Sequence, residues 1–248
     1  MSLDPLYDED GIVLYRGDCR EVLPKLGPVD VVVTDPPYGD TSLSWDEPVR
    51  GWLGLVDAPQ LWCFASLRFL LEHGVEFDGW TYGQEIIWEK HNGSSFHADR
   101  FKRVHEMVVH FYRGRWGGLH HQVPWTFDAM PQTVRRKRGP PHTGHIEASS
   151  YRSEDGGPEL MRSVLAVRSE HGRAVHPTQK PLGILRPLIE YSCPSNGVVL
   201  DPFAGSGSTL LAARELGRRA IGIESDEVYV QAAIKRLAQG IMDLGTAA

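Results

Sequence analysis

Short apolar runs punctuate this chain, and most are closed by glycine, proline or a carboxylate. Ile12 to Tyr15 ends at Gly17-Asp18-Cys19, and Val22 to Leu26 predicts a short helix closed by Gly27-Pro28. Val29 to Thr34 and Leu61 to Ala65 are apolar runs with the length and composition of buried strands. Leu67 to His73 has helical spacing and stops at Gly74. Gln84 to Trp88 and Met107 to Tyr112 are β-rich, and the polar stretch between them predicts an antiparallel pair. From Arg113 to Arg173 periodicity disappears, and Gly, Pro, His, Ser and Arg dominate. Order returns with a helix from Leu182 to Tyr191, with Pro181 at an early helical position. A strand from Val198 to Leu200, a helix from Ser208 to Leu216, a strand from Ala220 to Ile223 and a helix from Val228 to Leu237 follow. Alternation of strand and helix predicts an α/β fold with a parallel sheet.

The chain has 248 residues, the length of one large domain or of one domain with an inserted lobe. The pattern divides it into two halves of one domain, 1–112 and 174–248, around an irregular lobe at 113–173. No apolar run is long enough to span a bilayer. The first ten residues lack the basic and apolar regions of a signal peptide. Cys19, Cys63 and Cys193 are scattered and have no C-x-x-C spacing. The expectation is a soluble cytoplasmic protein with reduced thiols and no membrane partner. The histidine pairs His91 and His97, His120 and His121, and His142 and His145 join no cysteine or carboxylate set, so no metal site is expected.

Charge changes the picture only when it is read locally. The whole chain carries −6, but residues 90 to 180 hold 15 Lys+Arg against 8 Asp+Glu. The remainder holds 11 against 24. A basic lobe on an acidic body suits a polyanion, and Arg135-Arg136-Lys137-Arg138 within it reads as a phosphate clamp. Trp116 and Trp125, in the same lobe, read as packing residues.

Two strand-like runs end in a carboxylate and a tight turn. The first is Val31-Val32-Val33-Thr34-Asp35-Pro36-Pro37-Tyr38-Gly39. The second is Val198-Val199-Leu200-Asp201-Pro202-Phe203-Ala204-Gly205-Ser206-Gly207-Ser208-Thr209. α/β proteins bind ligands at such carboxyl ends of strands. The glycine turn is not a dinucleotide fingerprint, because Leu210 stands where the third glycine belongs. It is not a phosphate-binding P-loop either, because Ser208 replaces the lysine. A nucleoside cofactor remains, with Glu224 at the next strand end as the carboxylate for ribose hydroxyls.

Asp35-Pro36-Pro37-Tyr38 and Asp201 to Thr209 together resemble the amino-group DNA methyltransferases that use S-adenosylmethionine. The catalytic motif precedes the cofactor motif, as in the beta arrangement of that family. The likeness extends to Gly17-Asp18-Cys19, to Trp45-Asp46 and to His176-Pro177-Thr178-Gln179-Lys180-Pro181, covering roughly residues 12 to 112 and 174 to 238. The resemblance implies a Rossmann-like methyltransferase fold, with a mostly parallel seven-stranded sheet, an antiparallel final hairpin and a small irregular recognition lobe. It implies that Phe203, Ala204, Gly205, Ser206, Gly207, Ser208 and Thr209 wrap the cofactor beside Asp201, with Glu224 on its ribose. Asp18 and Cys19 would lie near its adenine, and Thr178 and Lys180 at its carboxylate.

The residue types suit the reaction. An exocyclic amino group is a poor nucleophile because its lone pair is delocalised into the ring. Asp35 can accept one N–H and the Pro36 carbonyl the other, turning nitrogen toward sp³. Pro36 and Pro37 remove backbone donors, so acceptors alone face the base. Tyr38 offers a ring for stacking. Taking the base out of the duplex costs about a few kcal/mol, and aromatic stacking returns about 1–3 kcal/mol.

The resemblance implies methylation of adenine N6 in duplex DNA, since Asp at position 35 is more typical of adenine-modifying members. Cytosine N4 is the alternative, and a non-catalytic DNA-binding protein on the same fold is the second. RNA or protein amide methylation fits less well, because those relatives typically carry Asn at that position. A second copy of the chain and a cognate restriction nuclease are further partners compatible with the resemblance.

Overall fold

The computed structural model describes residues 4–39, 46–94, 99–136, 148–169 and 179–245. Strands β1 (Tyr7–Glu9) and β2 (Ile12–Arg16) form a tight antiparallel hairpin. Asp18 caps the short helix α1 (Cys19–Val22), which continues as a 3-10 turn before β3 (Val31–Thr34). Next come β4 (Gln60–Ala65), helix α2 (Leu67–His73) and the antiparallel pair β5 (Thr81–Ser94) and β6 (Arg103–Tyr112). Five short strands follow: β7 (Trp125–Ala129), β8 (Gln132–Arg136), β9 (Ser149–Ser153), β10 (Gly157–Leu160) and β11 (Val164–Ala166). The C-terminal part alternates α3 (Leu182–Ser192), β12 (Val198–Asp201), α4 (Ser208–Glu215), β13 (Arg219–Glu224) and α5 (Glu227–Gly245).

Nine of these strands make one sheet in the order β1-β2-β13-β12-β3-β4-β6-β5-β11. From β2 to β4 neighbouring strands run parallel. Beyond β4 the β5–β6 hairpin is antiparallel. The sheet thus has nine strands where seven were expected, and β11 pairs in parallel outside the hairpin that was expected to end it. The two additions, β1 and β11, are three-residue strands at its edges, too short to leave a periodic signal. Every residue of β3 and β4 is buried, which is why both read as unbroken apolar runs.

Helices cover both faces. On one face α3, α4 and α5 pack through Ile184, Leu185, Leu210, Ala213, Val230 and Leu237. On the other, α1, α2 and the segment after β3 pack through Val22, Phe69, Trp52 and Leu53. The chain therefore leaves β12 toward one face and leaves β3 toward the other. Those two strands are neighbours, paired through Val199–Val31 and Leu200–Val32. Adjacent strand ends whose connections diverge open a crevice, the usual ligand position in open α/β sheets.

Two compact units are present, Met1–Gln122 with Ser163–Ala248, and Val123–Arg162. The 113–173 lobe of the sequence reading spans the second unit together with flanking segments. That unit holds two antiparallel strand pairs, β7 with β10 and β8 with β9. Most described side chains of β7 and β10 face solvent, so no alternating apolar pattern marks these strands. Helix α5 runs to Gly245, past the Leu237 end expected from sequence. Among the described residues no helix is long and apolar enough to cross a membrane.

Candidate functional site

Thr34 closes β3 and Asp201 closes β12, 167 residues apart in sequence, and the Thr34 hydroxyl donates to Asp201 Oδ1 at 2.7 Å. The two signatures thus meet at one sheet edge. Asp35, Pro37, Asp201, Phe203, Gly205 and Glu224 line one pocket. Asp18, Cys19, Ala204, Ser206, Ser208, Thr209 and Lys180 line it as well.

The glycine turn is held from two sides. Gly207 caps α4 at φ +77°, a left-handed conformation that favours glycine. Arg236 reaches back from α5 to the Ser206 carbonyl at 2.6 Å and to the Ser208 hydroxyl at 3.1 Å. Glu224 Oε2 accepts from the Gly205 amide at 2.8 Å, and its Oε1 accepts from the Asp226 amide at 2.8 Å. Burial pushes the Glu224 carboxyl up, while those amides pull it back. Asp201 is turned toward protein donors, the Thr34 hydroxyl and the Phe203 amide at 3.1 Å. Burial pushes its carboxyl up to about 6. Asp201 thus braces the turn from beneath. Asp18 accepts from the Arg20 amide at 2.8 Å, and the Phe203 ring meets Trp52 edge-on at 5.2 Å. Burial pushes the Cys19 thiol up to about 12, so it presents a neutral surface.

The turn after β3 is anchored by Asp46, whose Oδ1 accepts from the Tyr38 amide at 2.8 Å and the Gly39 amide at 2.9 Å. Gly39 sits at φ +75°, and a Cβ there would meet Pro48 Cδ at 3.1 Å. The Tyr38 ring packs on Phe69 at 5.3 Å, and its hydroxyl donates to Asp35 Oδ1. Burial pushes the Asp35 carboxyl up, and the Lys180 ammonium opposes this.

The sequence reading places Lys180 at a cofactor carboxylate. In the structure Lys180 lines the pocket, its ammonium is paired with Asp35 Oδ2, and it lies 3.5 Å from Glu106 Oε2. At 8% exposure the cation is drawn to the half-buried carboxylates beside it. It also lies over the Phe64 ring at 5.0 Å. Glu106 on β6 is paired in turn with Lys90 on β5. Sequence reasoning missed both, since each lies in the polar stretch flanking a β-rich run. It also gave no role to Asp46, Trp52 or Arg236.

Other expected residues fall elsewhere. Thr178, Lys137 and Arg138 lie outside the described residues, as does the Arg136 side chain. Arg135 is exposed on β8. Trp116 packs edge-on against His110 at 5.8 Å and Tyr112 at 5.1 Å. Trp125, read as a packing residue, is 54% exposed, because β7 belongs to a two-stranded sheet. Among the described residues no group of three or more His, Cys, Asp or Glu is placed to hold a metal.

Residues 29–235 match the family described as DNA methylase. The chain is 27% identical over 274 residues to the type II methyltransferase M2.LlaDCHI of Lactococcus lactis subsp. cremoris, across 95% of this chain and 93% of that one. Among solved structures it resembles the M1.HpyAVI–SAM complex, with a TM-score of 0.61 and 26% identity over 91% of this chain and 98% of that one. The cytosine-N4-specific PvuII DNA methyltransferase shares the fold at a TM-score of 0.64, with 14% identity over 93% of this chain and 87% of that one.

Proposed function

The chain belongs to the DNA methylase family, and from that membership we propose that it transfers the methyl group of S-adenosylmethionine to adenine N6 in duplex DNA. The observation that carries this reading is a single pocket lined by Asp35 and Pro37 of one signature and by Phe203, Gly205 and Glu224 of the other.

The pocket's donor set fits the cofactor. Glu224 brings a carboxylate to the end of β13 for a ribose diol, and its amide partners Gly205, Ser225 and Asp226 leave a lone pair for it. Phe203 and Ile223, with Asp18 and Cys19 after the neighbouring β2, offer apolar surface and a carboxylate for an adenine. When bound, the cofactor supplies an electrophilic methyl group on a sulfonium.

The chain's own residues act on the base. Asp35 accepts one N–H of the exocyclic amino group, and the Pro36 carbonyl accepts the other. The carboxylate also stabilises positive charge as it develops on nitrogen. No strong base is needed, because a methylated ammonium is acidic. Positioning carries much of the rate, and Asp46 supports it by fixing the turn through two backbone amides. The exposed Arg135, with Arg136, Lys137 and Arg138, supplies phosphate contacts. The cytoplasm, where duplex DNA and reduced thiols coexist in a bacterial cell, is the compartment this activity needs.

Adenine is preferred to cytosine because Asp stands at position 35, a resemblance to the adenine-modifying members of the family. Incubation with methyl-tritiated cofactor and mixed-sequence duplex, followed by digestion to nucleosides and mass analysis, tests both claims. N6-methyladenosine as the deoxynucleoside is expected. N4-methylcytosine would reassign the base, and unlabelled DNA despite cofactor binding would leave a DNA-binding protein without catalysis.

A further inference from the structure

Both oxygens of Asp35 are engaged by the protein itself. Oδ1 accepts from the Tyr38 hydroxyl and Oδ2 from the Lys180 ammonium. Each oxygen keeps a lone pair for an amino N–H, but a third donor at the carboxylate competes for its charge and weakens the hold on the ammonium. Lys180 is buried, so its charge cannot retreat into bulk water, and a buried cation stripped of its counter-ion is strongly disfavoured.

A second carboxylate stands within reach. Glu106 Oε2 lies 3.5 Å from the same ammonium, beyond a good hydrogen bond, and this buried oxygen makes no closer hydrogen bond among the described residues. The other oxygen, Oε1, is taken by Lys90 across the β5–β6 hairpin. A movement of less than about 1 Å would bring Lys180 to hydrogen-bond distance of Glu106.

We propose that Glu106 is a positioning residue, the counter-ion to which the Lys180 ammonium shifts when Asp35 takes the amino group of the target base, with Lys90 fixing Glu106 for the exchange. The proposal rests on the methyl-transfer reading. No proton moves in the exchange. Burial alone would lower the Lys180 ammonium, but Asp35 and Glu106 outweigh it and hold the group above its usual value. Burial alone would raise the Glu106 carboxyl, but Lys180 and Lys90 hold it below the usual carboxylate range. Charge is thus conserved on Lys180, Glu106 and Lys90, while the lysine is shared between two carboxylates.

Asp35 is the group in which the exchange can be read. Facing it are Tyr38 from its own turn, Cys63 from β4, Glu106 from β6, Asp201 from β12, and Lys180. Burial pushes the Tyr38 hydroxyl and the Cys63 thiol up, so both stay neutral. Burial raises the Asp201 and Glu224 carboxyls as well, so the Asp35 signal is assigned by its loss in Asp35→Asn.

The experiment is a side-chain carboxyl ¹³C NMR titration of Asp35 in the full chain, the Glu106→Gln variant and the Lys90→Met variant. Both substitutions break the same Lys90–Glu106 pair. Glu106→Gln leaves Asp35 as the only one of the two carboxylates for Lys180, so its pKa falls, by about one unit. Lys90→Met leaves Glu106 to draw Lys180 harder, so the Asp35 pKa rises. In single-turnover transfer with saturating cofactor, Glu106→Gln slows the step about tenfold while cofactor affinity stays within about threefold. Asp35 pKa changes of the same sign in both variants, or none in either, would make the pair a hairpin brace and overturn the proposal. A transfer rate within twofold of the parent in Glu106→Gln would overturn it too. If the parent chain methylates no duplex, the methyl-transfer reading fails, and the carboxyl titration still decides whether Lys180 is shared.

Discussion

The Thr34 hydroxyl donates a 2.7 Å hydrogen bond to the Asp201 carboxylate. It joins the residue before Asp35 to the residue that opens the glycine turn. Both signatures are therefore fixed to one point on the sheet edge, and movement of either strand end would disturb the other.

That bond sits on a carboxyl whose burial carries a stability cost at neutral pH. Burial pushes Asp201 up to about 6, above the usual carboxylate value near 3.9. Between those values the folded protein holds a proton that the unfolded chain has lost. The associated stability is present below about pH 4 and is lost as pH rises through about 6. Asp201→Asn removes this slope while keeping an oxygen for Thr34. Measured by thermal or denaturant unfolding, the variant should gain about 3 kcal/mol relative to the parent between pH 4 and pH 7. Parallel curves for the two proteins would show that Asp201 titrates normally.

Asp35→Ala should abolish methyl transfer and leave cofactor affinity within about threefold, since the cofactor pocket retains Phe203, Gly205 and Glu224. Calorimetry with the cofactor and a labelled-methyl assay on duplex DNA separate the two quantities. Retained transfer would remove Asp35 from the chemistry.

Asp46→Ala leaves the Tyr38 and Gly39 amides without their acceptor. A lost buried acceptor costs about 1–3 kcal/mol. The turn that presents Asp35 loosens, so single-turnover transfer should fall by more than the stability loss accounts for at a temperature where the variant is fully folded. Asp46→Asn keeps an oxygen acceptor and should recover most of both. Equal transfer in Asp46→Ala and the parent would make the anchor dispensable.

The central strands were legible because their chemistry is one-dimensional. Val31 to Thr34 and Val198 to Asp201 are buried almost throughout, so each is apolar up to its last residue, where Thr34 and Asp201 satisfy one another. The glycine turn was legible for a similar reason, since Gly207 holds a backbone angle that few residues tolerate. The charged relay behind Asp35 was not. Lys180 lies 145 residues from Asp35, and its contact with Glu106 depends on how the β5–β6 hairpin docks beside β4. No spacing encodes that docking. The strands of the second unit escaped notice because most of their described side chains face solvent, and an exposed Trp125 or Phe127 mimics a loop residue in any periodicity count.

Those exposed strands carry the last expectation. Arg135 lies on β8 opposite Ser150, and the Arg136 backbone continues the same strand. Each cation that neutralises a phosphate releases a counter-ion, so log affinity falls with log salt in proportion to the number of contacts. Replacing Arg135, Arg136, Lys137 and Arg138 together by Gln should weaken duplex binding at every sequence tested. It should also flatten the salt slope by about one for each arginine or lysine that meets a phosphate. Fluorescence anisotropy across a salt series gives both numbers. Preference among duplex sequences should survive, because phosphate contacts position a protein without reading bases. An unchanged slope with unchanged affinity would make the basic run a solvated strand end, and would move the phosphate contacts to other cations of the 90–180 region.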